Sequence, residues 1–330
     1  MNGTIHAPMP PLIIINNAAA KARRAWPTVR RLLESAGVTY ESYETTGPGD
    51  ATVRTRAALR DGVSIIGVVG GDGTLSEAAE GFFEFKQNVE EAPSPVNPSA
   101  ALAIFPAGTG DDFARGLTGG TRADIGHWTN VFIVHSQHPN NDHTKLIDVL
   151  YGVCNGYTQP FICLNASTMG IGGETATRVA AQGKFMRHLS GELRFAAAAF
   201  VSIAHWRERR VRVLVDDETL MNGPMNLAAV ANALYAGGGM MLSPAARFDD
   251  GKLDAVTASG LNRAAVLREL GRIHKGGHVA NPKVKIGQGT KARIETFAPE
   301  DAMPIEVDGN VRGVTPVEFC VLPKALRFVV

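Results

Sequence analysis

Cysteine is scarce in this chain of 330 residues: Cys154, Cys163 and Cys320 are odd in number and stand in apolar, strand-like stretches. Their number and setting argue against a disulfide framework or a thiolate metal site and predict buried free thiols. An excess of charge of one sign is also missing. The 33 Lys and Arg against 32 Asp and Glu leave a formal charge of +1, which argues against global attraction to nucleic acid or an anionic membrane and leaves only local patches. No apolar run reaches the ~18 residues of a membrane span. The nearest, LRFAAAAFVSIAHW at 193–206, is bracketed by Arg194 and His205. The opening MNGTIHAPMPPLIII has neither the basic start nor the long apolar core of a signal peptide, so a cytoplasmic protein is expected. The nine histidines show no ligand spacing, and His135, His138 and His143 are expected in a polar, solvated loop. No internal repeat is evident, and the length allows about two domains with separate cores.

Glycine, by contrast, is concentrated where it can do chemistry. In VVGGDGTLSEAAEGF at 68–82 an apolar strand (Ile65, Ile66, Val68, Val69) runs into Gly70, Gly71 and Gly73 and straight on into helical spacing from Leu75. Glycines at such a turn let the backbone approach a ligand closely, and the N–H groups at the helix start favour an anion such as a phosphate. Asp72 cannot face a phosphate directly, which leaves it a magnesium ion, a ribose or substrate hydroxyl, or a backbone N–H to cap. AIFPAGTGDDFARGL at 103–117 repeats the design, with Gly108, Thr109 and Gly110 in the turn and Asp111 and Asp112 at the expected N-cap and first helical turn. Two such strand ends about 35 residues apart fit neighbouring strands of a parallel sheet and one nucleotide cleft.

Along the chain, residues up to about Ile147 alternate apolar runs with helical stretches and read as α/β. A strand at 12–15 is followed by a helix from Ala20 to Ala36, a short strand at 39–45 and a helix near Ala51 to Asp61. The proline-rich NVEEAPSPVNPS at 88–99 reads as a surface loop. After Lys145 short apolar stretches such as PFICLNAS, RVRVLVD, MNLAAVANA, KLDAVTAS, KARIETF, PIEVDG and VEFCVLP suggest an antiparallel, sandwich-like second domain. Two helices interrupt it, one from about Phe185 to His205. The other runs from Asn262 to Lys275, with Ala265, Leu267, Leu270 and Ile273 inward and Arg263, Arg268 and Arg272 outward.

GGDGT at 70–74, PAGTGDDFAR at 106–115, ASTMGIGGE at 166–174, NALYAGGGMMLSPAARFDDGKLD at 232–254 and VDG at 307–309 together resemble the motifs of the diacylglycerol kinase catalytic family, which includes bacterial lipid kinases and sphingosine kinases. The resemblance covers nearly the whole chain, in the family's order and approximate spacing. It implies an α/β nucleotide-binding N-terminal domain over 1–146, to which 316–330 return, and an antiparallel β-sandwich-like domain over 147–315 that presents the lipid. It implies ATP and magnesium, a lipid alcohol as substrate, transient contact with the membrane surface and no nucleic-acid partner, with a homodimer left open.

Carried over residue by residue, the resemblance places ATP at Asn16, Asn17, Thr45, Gly70, Gly71, Asp72, Gly73, Thr74 and Thr109, although NNAAAK lacks the family's glycine-containing turn and the asparagines could also cap the helix after Ala18. It places a largely structural magnesium on the Asp250 side chain and the carbonyls of Arg247 and Lys252, in a sequence that otherwise reads as a surface turn. It makes Asp308 the leading base for the acceptor hydroxyl and Asp72 the next. The family commonly has glutamate where this chain has Asn310, and an amide cannot accept a proton near neutral pH. Asp111 replaces the family's usual asparagine and is expected to add negative charge near the nucleotide. Two other readings stay open: a kinase of a soluble alcohol or dinucleotide, as in NAD kinases with their similar turn, and a nucleotide-binding regulator without catalysis.

Overall fold

The computed structural model describes residues 9–89, 91–122, 124–138, 143–154, 160–183 and 191–330, with Glu192 described by its backbone alone. The expected start of the helix near Phe185 lies outside the described residues. The first half runs β1 (Leu12–Ile15), α1 (Ala20–Ser35), β2 (Glu41–Glu44), α2 (Asp50–Arg60), β3 (Ile65–Gly70), α3 (Asp72–Glu80), β4 (Phe83–Glu84), β5 (Ser94–Pro95), β6 (Ala101–Pro106), α4 (Asp112–Leu117) and α5 (Ile125–Gln137). Then come β7 (Thr144–Cys154), β8 (Phe161–Cys163), β9 (Ala166–Gly170), α6 (Ile171–Ala180), α7 (Gly191–His205), β10 (Arg209–Val215), β11 (Glu218–Met225) and β12 (Leu227–Ala231). The chain continues through β13 (Tyr235–Ala236), β14 (Met240–Met241), β15 (Leu253–Ala258), α8 (Arg263–Ile273), β16 (Val284–Gly289), β17 (Lys291–Thr296), β18 (Pro304–Val307), β19 (Asn310–Val314) and β20 (Val317–Val329).

β2, β1, β3 and β6 pair in parallel, and their apolar runs explain it: all four residues of β1 and all six of β3 are buried, as strands covered by helices on both faces must be. Side chains of alternating direction feed two cores. Leu12, Ile14, Ile66 and Val68 pack with Leu75 and Phe113, while Ile13, Val69 and Phe105 pack with Val29, Leu33 and Phe132. The Phe105 and Phe132 rings lie 5.1 Å apart, so truncating either would cost about 3–5 kcal/mol.

The sheet does not stop at the edge of this half. Its order is β11-β10-β17-β20-β6-β3-β1-β2, with β7 and β8 also joined through β20. β20 is a single strand that serves both halves: it pairs antiparallel with β7 and β17, and its Arg327 and Phe328 pair in parallel with Ala101 and Leu102 of β6. The expected boundary at 146/147 falls inside β7. A second, antiparallel sheet, β16-β15-β12-β9-β18-β19, stacks on the second-half strands of the first and encloses Met169, Val213, Val230, Ile294, Ile305, Val307 and Phe319.

Three expectations need correction. His135 lies in α5 rather than in a loop; it falls seven residues after Trp128, on the helix face that also buries Phe132. On α8 the inward residue is Glu269, held by Asn281 Nδ2 at 3.0 Å and by Arg272, and Leu267 faces out. The 88–99 stretch is tethered, with β5 pairing β4 and the Tyr151 hydroxyl donating to the Val89 carbonyl at 2.7 Å. Cys154 and Cys163 are buried free thiols and Cys320 a half-buried one.

Candidate functional site

The two glycine turns end adjacent strands, β3 and β6, with Gly70 opposite Pro106. They touch. A Cβ on Gly71 would stand 2.9 Å from Gly108 Cα, and one on Gly108 would stand 2.5 Å from Gly71 Cα, so only glycine permits this approach. Around the first turn, Asn16 at the end of β1 donates from Nδ2 to Thr74 Oγ1 at 2.7 Å and accepts the Ala18 and Ala19 N–H groups on Oδ1. Thr45 lies on the next strand end, its N–H bound to the Ile15 carbonyl at 2.9 Å. Asn17 is exposed and contributes its carbonyl to Arg23. Thr109 is exposed in the second turn, against the first residue of α7: a Cβ on Gly191 would stand 2.6 Å from Thr109 Oγ1.

Two cations at this place escape sequence reasoning. Lys21 Nζ and Arg122 Nη2 both donate to the Gly108 carbonyl, at 3.2 and 3.1 Å. Arg122 also pairs with Asp111 Oδ2 at 2.6 Å while Asp111 Oδ1 accepts the Gly108 N–H. The expected extra negative charge of Asp111 is therefore offset by a guanidinium. Nor does its side chain cap α4, since it reaches back to the turn.

That cap comes from Asp72. Its Oδ2 accepts the Asp112 N–H and its Oδ1 the Phe113 N–H, both at 3.0 Å, and Asn165 Nδ2 donates to Oδ1 at 3.3 Å. Asp112 in turn accepts the N–H groups of Gly238 and Gly239 at 2.7 and 2.6 Å, which docks the GGGM loop on the second turn. Burial, with the neighbouring Asp112 carboxylate second, pushes Asp72 up to about 7. Burial also raises Asp112.

Asp308 sits in the β18–β19 hairpin turn with φ 48°, a left-handed conformation that Asp tolerates, followed by Gly309 at 93°. Its carboxylate is fully engaged inside the protein. Oδ2 accepts the Leu164 N–H at 2.7 Å, and Oδ1 accepts those of Asn165 and Ala166 at 2.9 and 3.2 Å. At 5% exposure it offers no face to a substrate. Its effect is to fix the 163–166 segment that carries Asn165 to Asp72. The hairpin tip rests on the first turn of α3, where Asn310 Nδ2 donates to the Gly73 carbonyl at 3.3 Å. Glu306, on β18, accepts the Thr168 hydroxyl at 2.6 Å and the Gly309 N–H at 2.5 Å, and burial pushes it up to about 7.

Asp250 is exposed, and its Oδ1 accepts the Lys252 N–H at 3.0 Å, the turn its sequence suggests. The next N–H, of Gly251, goes to Asp148 Oδ2 at 2.6 Å. No cluster of three His, Cys, Asp or Glu disposed to hold a metal occurs among the described residues. Asn165, Lys21 and Arg122 are the site residues that the sequence hides; only the polar Asn165 interrupting the apolar FICLNAS run could have drawn notice.

Two sequence-family models match the chain: the diacylglycerol kinase catalytic domain over residues 10–144 and the YegS C-terminal NAD kinase beta sandwich-like domain over 168–330. The diacylglycerol kinase of Staphylococcus haemolyticus is 28% identical over 96% of this chain and 86% of its own length. That of Bacillus subtilis is 26% identical over 91% and 89%. The crystal structure of a diacylglycerol kinase from Bacillus anthracis superposes with a TM-score of 0.70 at 22% identity, covering 97% of this chain and 96% of that one.

Proposed function

We infer that this chain, which belongs to the diacylglycerol kinase catalytic family, is an ATP-dependent kinase that phosphorylates the hydroxyl of a lipid. The observation that carries the reading is the contact of the two glycine turns, with Asp72 between them and Lys21 and Arg122 at their rim. Phosphoryl transfer needs phosphates held still, charge spread, and an acceptor brought in line. Backbone N–H groups and the two cations supply the first. Asn16, Asn17, Thr45, Gly70, Gly71, Gly73, Thr74 and Thr109 lie at these strand ends and turns and are proposed to contact ATP. Asp72 ties the start of α4 to that of α3 and keeps the two turns at a fixed separation while one of its lone pairs stays free.

Asp250 and the carbonyls of Arg247 and Lys252 are hard oxygen donors of the kind magnesium takes, and the Asp250 Oδ2 is left for it by the turn hydrogen bond to Oδ1. Magnesium bound there supplies a charge that braces the 247–252 loop, whose Phe248 ring packs 6.2 Å from Phe113 of α4.

The acceptor is proposed to be a diacylglycerol-like or sphingoid lipid, approached from the membrane surface. α7 begins beside Thr109 and exposes Leu193, Phe200 and Val201 along its length, an apolar stripe suited to the lipid interface. No helix among the described residues is long and apolar enough to cross a membrane, so contact would be peripheral. The test is turnover of γ-labelled ATP against micellar diacylglycerol, sphingoid base, phosphatidylglycerol and ceramide, with a soluble polyol and NAD as controls. Label in a lipid is expected. Label only in a soluble acceptor would refute the lipid assignment, and ATP binding without any turnover would replace the kinase by a nucleotide-binding regulator.

A further inference from the structure

The second half of the chain grips α3 at two points along β19. Asn310 Nδ2 donates to the Gly73 carbonyl at 3.3 Å, and Arg312 Nη2 meets Glu80 Oε2 at 3.0 Å. Gly73 and Glu80 stand seven residues apart in α3, almost two full turns, and so lie on one face of the helix. On the strand side the second contact depends on an irregularity. Ile305 pairs with Gly313 and Glu306 with Val311, which leaves Arg312 as the extra residue of a bulge. A bulge re-aims a side chain, and this one sends the guanidinium to the helix.

Glu80 receives it as a buried carboxylate that also accepts the N–H of Ile162 in β8. One turn earlier, Ser76 Oγ donates to the Ile162 carbonyl at 3.4 Å, so β8 is fixed to α3 through both its backbone groups at this residue. Beyond β8 the N–H groups of residues 164–166 are held by Asp308, and Asp308 closes the hairpin that leads back into β19. The contacts therefore form a closed ring: α3, β8, Asp308, β19 and α3 again. Glu80 is where it closes, and Asn165, within the ring, is the residue that reaches Asp72. The side chains of Arg312 and Glu80 are 21% and 11% exposed. Desolvation offsets most of the attraction in so buried a pair, which directs its contribution away from stability and toward fixing where its two elements sit.

We propose that Arg312 is a positioning residue for phosphoryl transfer, setting the hairpin tip of the second half over the phosphate-binding turn of the first through its ion pair with Glu80. The assignment rests on the kinase reading above. Arg312 acts through Asn310 and Asp308, its neighbours at the tip, and through Asn165 on Asp72. Without the pair the Gly73 turn keeps its place, because β3 and the contact with Gly108 hold it, while the hairpin loses its second hold on α3. The defect is thus one of alignment between the halves rather than of ATP binding.

The full-length chain is assayed with γ-labelled ATP, magnesium and dioctanoylglycerol in mixed micelles, at a temperature where circular dichroism shows every variant folded. Arg312→Met keeps the apolar stem and removes the charge. Its kcat is expected to fall by about tenfold with the KM for ATP within about twofold of the parent, a split that general loosening of the fold would not produce. Arg312→Lys, which restores a cation, should return kcat to within about threefold of the parent. In a Glu80→Gln background Arg312→Met should cost less than about twofold more, because both changes break one interaction. An Arg312→Met enzyme with kcat within about threefold of the parent overturns the proposal, and so do losses that multiply in the double variant. Should Arg312→Met fail to fold, Glu80→Gln carries the test: a fall of about tenfold in kcat is expected, and an unchanged kcat overturns the assignment. A parent chain that phosphorylates no lipid overturns the kinase reading and this proposal together, whereas an active parent with an active Arg312→Met removes Arg312 alone.

Discussion

Asp72-Gly73 and Asp308-Gly309 look alike in sequence, each an aspartate and glycine at the end of an apolar strand, and they do opposite things. Asp72 opens a helix, is half-buried, and spends its oxygens on the start of another helix across a gap. Asp308 closes a hairpin and turns its oxygens inward onto three successive N–H groups. One carboxylate shapes a cleft and the other holds a wall. The difference lies in what arrives from elsewhere in the chain: the start of α4, about 40 residues on, for Asp72, and the 163–166 segment, more than 140 residues back, for Asp308.

The largest expected effect falls on the open turn. Asp72→Asn should lower kcat by about 100-fold or more while the far-ultraviolet circular dichroism spectrum stays that of the parent. Kinetics within a few-fold of the parent would remove Asp72 from the site. At the closed turn, Asp308→Asn leaves buried N–H donors facing an amide that can donate but accepts on one oxygen only. A loss of about 2–4 kcal/mol in urea unfolding is expected, and stability equal to the parent would show that the wall does not need it.

A third test uses proton linkage. Burial raises Asp72 to about 7, so the folded chain binds its proton more tightly than the unfolded chain does. Stability from this residue is present below the unfolded value near 4 and is lost as pH rises toward 7. The drop in unfolding free energy between pH 5 and pH 8 should therefore be smaller in Asp72→Asn than in the parent. An equal drop would mean that Asp72 is not raised.

Asp250-Gly251 is the exposed counterpart of both turns. Asp250→Ala should leave basal stability nearly unchanged and shrink the rise in melting temperature that added magnesium gives the parent, up to ~2.7 kcal/mol for a ligand at a hundred times its dissociation constant. The same magnesium response in both would reject a metal on this turn. The smallest effect is expected from Asn310→Glu alone, a change in kcat of less than about threefold, since the Asn310 side chain contributes a single hydrogen bond, to the Gly73 carbonyl. A large gain would mean that proton transfer limits the parent.

How much of this was legible beforehand depends on range along the chain. The strand and helix alternation of the first half, the glycine turns and their adjacency follow from local periodicity and spacing, and Gly71 against Gly108 realises them. β11 and β16 are hidden in the sequence, because TLMNGPM and VKIGQG carry too little apolar alternation to read as strands. Their pairing with β10 and β15 supplies what the local sequence lacks. Asn165 and Lys21 act across separations of about 90 residues, so nothing within a local window marks them. Asp308 shows the limit from the other side: VDG draws attention to the right turn, while only the folded chain reveals that its carboxylate points inward.

β20 lies between β17 and β6 and has Phe328 wholly buried in the first-half core. During synthesis, then, the nucleotide-binding half cannot complete its own sheet when its own 140 or so residues have left the ribosome. It must wait, with the edge of β6 unpaired, until the strand ending at Val329 has been made. One strand thus couples the two halves: a cut or insertion in β20 would disturb the antiparallel pairing with β7 and β17 and the parallel pairing with β6 together.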